Sequence, residues 1–447
     1  MRSERSLESR TGGRAATTGV IPGDCAISVG NPGSALPDGW GWQLLTDVAR
    51  LETGHTPSRK HPEYWGGDVP WIGIRDATGN HGGTLYKTLQ YTNELGIRNS
   101  SARILPANTV CLSRTASVGY VVVMGTPMAT SQDFVNWVCG PMLDHRFLKY
   151  VLLGERGSFL RFASGTTHQT IYFPEVKAFH IALPPLETQR GIADVLGSLD
   201  DRIDLLRQTN ATLESIAQAL YKSWFIDFDP VRAKAEGREP EGMDAETAVL
   251  FPVSFEDSTL GQVPKGWAVG VVDDLLVLQR GFDLPAQQRE EGPYPVLAAS
   301  GPSGSHSQSM GSAPGVTTGR SGVIGNVYFV QRDFWPLNTS LWVKQFKVAT
   351  PAYAYQLLKT LDLKRLNAGS AVPTLNRNHV HAQPALLPAR EVVERYTETA
   401  NVLLARIGEN EIHEDSLVEL RNTLLPHLIS GKLRLPEAEA QVNEALA

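Results

Sequence analysis

Three cysteines in a chain of 447 residues, at Cys25, Cys111 and Cys139, are too few and too scattered for a disulfide framework or a zinc site. A reduced, cytoplasmic setting follows from that usage. No run of 18 or more apolar residues is present, which excludes an ordinary transmembrane helix. The opening stretch MRSERSLESRTGGRAATTG carries charge but no apolar centre, so it does not read as a signal peptide. Its Gly, Ser, Thr and Arg content predicts a flexible extension over residues 1–35.

The marks of catalysis are also missing. An adenine methyltransferase needs Asn/Asp-Pro-Pro-aromatic to hold the target amino group, and NPGS at 31 and DPVR at 229 lack the second proline and the aromatic ring. GRSGVIG (319–325) has the glycines of a phosphate loop but no lysine, and it leads into a strand rather than a helix. PEVK (174–177) offers an acid and a lysine of a metal nuclease without a second carboxylate suitably upstream. The eleven histidines contain no HExxH, and His379/His381 alternate as on an extended segment. No catalytic residue, metal ligand or cofactor site is therefore expected on this chain.

What is present is a duplication. LPDGWGWQLLTDVARLETG from Leu36 is answered by VPKGWAVGVVDDLLVLQRG from Val263, with Trp40/Trp267, Asp47/Asp274 and Gly54/Gly281 each 227 positions apart. VCLSRTASVGYVVV from Val110 matches VTTGRSGVIGNVYFV from Val316, pairing Arg114 with Arg320 and Gly119 with Gly325 at an offset of 206. SGTTHQTI from Ser164 matches AGSAVPTL from Ala368. An offset that drifts while the landmarks persist is the signature of a kept framework with loops of different length. Trp40 and Trp267 read as core anchors.

Each repeat closes on a helical signal. In 186–226, Ile192, Leu199, Leu206, Leu213 and Leu220 recur every seven residues, with Leu196, Ile203, Ala217 and Trp224 as a second row. In 389–435 the same phase is held by Tyr396, Leu403, Leu417 and Leu424, with Asn410 in place of one apolar residue and Pro426 expected to end the helix. The preceding blocks, 36–185 and 262–388, carry short β-rich runs broken by Gly, Pro, Asn and Ser. The expected fold is α+β: two mixed α/β domains in tandem, each followed by a long helix, the two helices packing as an antiparallel coiled coil. Residues 227–261 read as a polar surface linker with one short helix near Ala245–Leu250, and 436–447 as a flexible tail.

Net charge is −6, unevenly spread. Residues 36–184 hold 13 Lys+Arg against 11 Asp+Glu and 260–387 hold 11 against 7, whereas 186–259 hold 7 against 15. Mildly basic domains thus alternate with acidic helical blocks, which directs a polyanion toward the domains.

Two loop-rich domains, each leading into a long helix, with LPPLETQRGIADVLGSLDDRID at the first helix and DFDPVRAKAEGREPEGM in the linker, resemble the specificity subunit of Type I restriction-modification enzymes. The resemblance covers about residues 36–435. The second helix departs from it, since REVVERYTETANVLLARI lacks the Gln-Arg-x-Ile-Ala wording. The resemblance implies a non-catalytic, DNA-binding subunit acting in phage defence, with two target recognition domains that each read half of a split, asymmetric site in double-stranded DNA. It implies helices that set the spacing and dock two methyltransferase (modification) subunits, with restriction subunits joining that core. S-adenosylmethionine, ATP and Mg²⁺ would belong to those partners. The rival readings are a standalone DNA-modifying or DNA-cleaving enzyme, which lacks its motifs, and a protein-only scaffold, which leaves two divergent basic domains unexplained.

Sequence readout needs side chains with paired donors and acceptors for bases, and cations for phosphates. In the first domain the candidates are Arg114, Thr115, Ser117, Thr166, Thr167, His168 and Gln169, with Arg59, Lys60 and Arg75 on phosphates. In the second they are Arg320, Ser321, Asn338, Asn376 and Arg377, supported by Arg280 and Lys344. Two roles stay open for Arg114 and Arg320: reading bases, or holding a turn common to both repeats.

Overall fold

The computed structural model describes residues 19–165 and 169–446. The chain forms two compact units, one of Met1–Asp204 with Asp415–Ala447, the other of Leu205–Glu414.

In the first unit the strands Ala49–Thr53, Phe134–Cys139, Val110–Ser113, Val121–Met124 and Thr84–Leu85 lie in that order in one sheet. Val110–Ser113 and Val121–Met124 are buried along their whole length, so they read as continuous apolar runs instead of alternating ones. Helix His145–Gly154 covers them through Phe147, Leu148, Val151 and Leu152. A smaller sheet runs Ala129–Thr130, Trp65–Ile72, Gln90–Thr92. In the second unit the order Leu276–Arg280, Ser340–Phe346, Gly315–Gly319, Val327–Val330 repeats the larger sheet, and Trp335–Pro336, Tyr294–Ala298, Gly301–His306 repeats the smaller. Helix Pro351–Thr360 stands where His145–Gly154 stands in the first. The duplication seen in the sequence is thus one framework built twice.

The two long helices are Leu186–Phe225 and Arg390–Ile429, 40 residues each. Their seam is apolar, with Ile192, Leu196, Leu199, Ile203, Leu206, Ala217 and Trp224 buried on one helix and Tyr396, Ala400, Leu404, Leu417 and Leu424 on the other. The pairing is antiparallel in both units. In the first, the Arg421 guanidinium lies 2.9 Å from the Asp200 carboxylate. In the second, Arg207 meets Glu414 at 2.7 Å, Asn410 donates to Asn210 at 2.7 Å, and the Tyr396 hydroxyl donates to the Ala217 carbonyl at 3.2 Å. The start of the first helix is tied down by the buried Gln189 amide, which accepts from Asp144 N–H at 2.9 Å and donates to the carbonyls of Met142 and Pro184 at 3.0 and 2.9 Å. On the second helix, where this wording is absent, Val393 is buried in the apolar core.

Several expectations are corrected. The predicted extension to Ala35 includes structure: Ile21–Pro22 and Ile27–Val29 are strands, joined to Phe179–Leu183 and Gly41–Leu44. The cause is the fully buried Glu155, whose carboxylate accepts the N–H groups of Asp24, Cys25, Ala26 and Ile27 together with the Ser158 hydroxyl. Residues 1–18 of that extension lie outside the described residues. Pro426 does not end its helix, which runs on to Ile429 because Leu428 and Ile429 are buried. The expected tail is a helix, Leu435–Leu446, seated by Leu435 against Gly191 and by buried Ala438 and Val442. The linker holds its expected short helix, at Ala245–Val249, and beyond expectation a helix Asp229–Ala235 and a hairpin of Phe255–Ser258 with Gly261–Pro264, with Val231 and Phe251 in the core. His379 and His381 sit in a short helix, Arg377–His381, and the His381 Nε2 accepts from the Leu278 N–H at 2.8 Å.

The repeated tryptophans hold the ends of the helices. Trp267 packs against Phe225 and Phe228 with ring centroids 6.0 Å away in each case. Trp40 lies where any Cβ on Gly431 would come within 3.2 Å of its ring.

Candidate nucleic-acid interface

Gly54 and Gly281, the last landmarks of the opening repeat, follow the strands Ala49–Thr53 and Leu276–Arg280. A Cβ on Gly54 would overlap the Ser131 carbonyl, and one on Gly281 the carbonyls of Pro336 and Leu337. Only glycine lets the two backbones approach this closely. Directly after each glycine the chains are joined, by His55 N–H to the Thr130 carbonyl at 2.9 Å and by Phe282 N–H to the Pro336 carbonyl at 2.8 Å.

The repeated arginine braces this crossing. Arg114 donates to the carbonyls of Gln132 at 3.1 Å and Ile171 at 3.5 Å and stacks on Phe173 at 4.7 Å. Burial pushes its pKa down, with Asp133 opposing, and a guanidinium stays charged at neutral pH regardless. Arg320 donates to the Asn338 carbonyl at 3.2 Å. Gln132 and Asn338 are again 206 positions apart. The backbone behind each arginine is shared too: Ile171 N–H bonds the Arg114 carbonyl at 2.9 Å and Leu375 N–H the Arg320 carbonyl at 2.7 Å. All of these partners are backbone carbonyls, which favours the turn-holding role for both arginines.

The remaining candidates are spread over several places in the two domains. Thr115 and Ser321 lie beside the arginines, bridged to Thr170 and Thr374 respectively, and the Thr115 and Thr170 hydroxyls are 2.5 Å apart. Ser117 closes the same turn, its carbonyl accepting from the Ser113 hydroxyl. Asn376 caps the helix Arg377–His381 by accepting from Asn378 N–H at 3.0 Å, leaving Arg377 exposed on its first turn. Arg59 is exposed but ordered: its guanidinium lies 3.6 Å over the Trp65 ring and 5.1 Å from the Trp71 ring, and it donates to Gln90 at 2.7 Å. Trp71 Nε1 in turn donates to the His55 carbonyl at 3.1 Å, which places this cluster beside the crossing. Arg280, the residue just before Gly281 in the second domain, is 3.7 Å from Asp283. Lys60, Arg75, Gln169 and Lys344 are exposed, and among the described residues no side-chain hydrogen bond or ion pair joins them to the crossing. Thr166, Thr167 and His168 lie outside the described residues.

Three residues at the crossing carry polar tips that no motif in the sequence marked. The Thr56 hydroxyl donates to the Gln132 amide oxygen, and the Asn338 amide donates to Asp283. Thr56 and Asp283 are 227 positions apart, so these are the same pair in each domain with different side chains. The sequence signal for Gln132 was its offset from Asn338. No helix is long and apolar enough to cross a membrane, and no cluster of metal-ligating side chains occurs, among the described residues.

Residues 37–215 match the family of Type I restriction modification DNA specificity domains. The chain is 24% identical over 428 residues to the Type I restriction enzyme MjaIX specificity subunit of Methanocaldococcus jannaschii, covering 90% of this chain and 95% of that protein. It is 28% identical over 333 residues to the HindI specificity subunit of Haemophilus influenzae, covering 60% of this chain and 72% of the relative. The crystal structure of a Type I restriction-modification S subunit from M. genitalium shares the fold, with a TM-score of 0.56 at 17% identity, covering 87% of this chain and 96% of that one. The matched segment takes in the first repeat and the greater part of the helix Leu186–Phe225 that follows it. Over most of its length the chain is thus similar to Type I restriction enzyme specificity subunits, with the DNA specificity domain matched in its first repeat.

Proposed function

We propose that this chain gives a cytoplasmic Type I restriction-modification complex its DNA target, each domain reading one half of a bipartite, asymmetric site. The single observation that carries the reading is the crossing at Gly54 and Gly281: an identical backbone framework presents different polar tips in the two domains. Two readers of one sequence would share their tips, whereas two readers of different sequences share only the framework. Arg59 and Arg280, beside the tips, supply cations for phosphates, and Lys60, Arg75, Arg377 and Lys344 supply others on the domain surfaces; such contacts fix register without reading sequence. The antiparallel helices act as the spacer and as the docking surface for two modification subunits, with restriction subunits joining them. S-adenosylmethionine, ATP and Mg²⁺ are then used on those partners.

Purified chain, incubated with duplex DNA, S-adenosylmethionine, ATP and Mg²⁺, is expected neither to methylate nor to cleave, and to support methylation once its modification subunits are added. Methylation or cleavage by a preparation free of partner subunits would overturn this division of labour.

A further inference from the structure

We propose that Thr56 with Gln132, and Asp283 with Asn338, are the base-reading pairs of the first and second domains. The inference rests on the DNA-recognition reading above and names the atoms that perform it. Four observations carry it. The pairs occupy equivalent positions, as the offsets of 227 and 206 require. Their surroundings are the same in both domains: a glycine under the crossing and an arginine on the carbonyl of the amide-bearing residue. Their side chains differ, a hydroxyl beside a glutamine amide in one domain and a carboxylate beside an asparagine amide in the other. Each pair reaches solvent, through exposed Gln132 in one case and exposed Asp283 in the other.

The pairing itself prepares the amides for readout. Thr56 uses one lone pair of the Gln132 oxygen, leaving the second lone pair and both amide N–H donors. Asp283 takes one N–H of Asn338, leaving one donor and the carbonyl oxygen. In each case a donor and an acceptor remain side by side, the set that matches the N7 and N6 edge of adenine in the major groove. Holding the amide before binding also reduces the side-chain freedom lost on contact. The adjoining cations, Arg59 stacked beside the Thr56 loop and Arg280 near Asp283, are placed to meet the backbone flanking the base that is read.

The test is selection of preferred sequences from a pool of random duplexes by the full chain, comparing wild type with Gln132→Ala, Thr56→Val and Asn338→Ala. Wild type should enrich a two-part motif. Gln132→Ala and Thr56→Val should lose preference at one position of one half, by about 5- to 150-fold, and Asn338→Ala at one position of the other half. Melting temperature measured on the same proteins separates a lost contact from a lost fold. A stably folded Gln132→Ala that enriches the wild-type motif unchanged would overturn the assignment while leaving the family reading intact. A wild-type chain that enriches no sequence at all would overturn the DNA-recognition reading, and the pairs with it.

Discussion

Replacing Arg114 by alanine separates the two roles open to it. The side chain makes one well-formed charged hydrogen bond, 3.1 Å to the Gln132 carbonyl, a long one of 3.5 Å to Ile171, and a stack on Phe173. A hydrogen bond to a charged group contributes about 1.5–3 kcal/mol, and a partly exposed cation–π contact about 0.5–1 kcal/mol. Because the side chain is only half-buried, the lower ends apply, and the loss should be about 2–3 kcal/mol. For a folding unit of this size each kcal/mol shifts Tm by about 2–4 °C, so Arg114→Ala should melt about 5–10 °C lower by calorimetry. Its affinity for DNA should fall while the ranking of bases within the target stays the same, since the arginine holds the loop and the loop tip reads. Arg114→Lys should recover little, because a single ammonium cannot replace a planar fork and its stack. An alanine variant that melts within about 1 °C of wild type yet loses discrimination at one base would refute the turn-holding role.

The helix pair offers two more tests. Asn410→Ala leaves Asn210 facing an apolar seam and should destabilise the chain by about 1–2 kcal/mol, whereas the double change Asn210→Leu/Asn410→Leu should melt higher than wild type while loosening the choice of helix register, checked by calorimetry and by disulfide trapping between the helices. Inserting one heptad in each helix, after Thr212 and after Ile407, keeps the seam in phase and adds about 10 Å. At about 3.4 Å per base pair the unspecified gap in the methylation motif should lengthen by about three base pairs with both halves unchanged, and an active variant with the original gap would show that the helices do not set the spacing.

The parts of this structure that were legible in the sequence are those fixed by local periodicity or by repetition. Heptad spacing marked Leu186–Phe225 because a 40-residue helix shows its buried stripe many times over. The strand Ile27–Val29 left no such mark: it has three residues, and it is held by pairing with Phe179–Leu183 and by Glu155, about 130 residues away in the chain. The helix Leu435–Leu446 was hidden for a related reason, since only Ala438 and Val442 are buried among its 12 residues and leave no repeated apolar stripe. Pro426 was read as a stop because proline lacks the N–H an interior turn needs, but in the final turn one missing bond is offset by burial of Leu428 and Ile429. At the interface, Arg114 and Arg320 stood out because they repeat, and repetition is a mark of framework. Gln132 and Thr56 sit in polar loops with no motif around them, and only the spatial crossing brings them together.

The central claim is that each domain reads its own half of the target, and it is tested most directly by exchange. Residues 19–184 form the part to replace, because the strands Ile21–Pro22 and Ile27–Val29 complete the sheet of the first domain. With the first domain of a Type I restriction enzyme specificity subunit in that place and modification subunits present, methylated positions across a genome can be mapped by single-molecule sequencing. The methylated motif should then have one half replaced, the other half kept and both still separated by unspecified base pairs. A motif altered in both halves, or in neither, would contradict it.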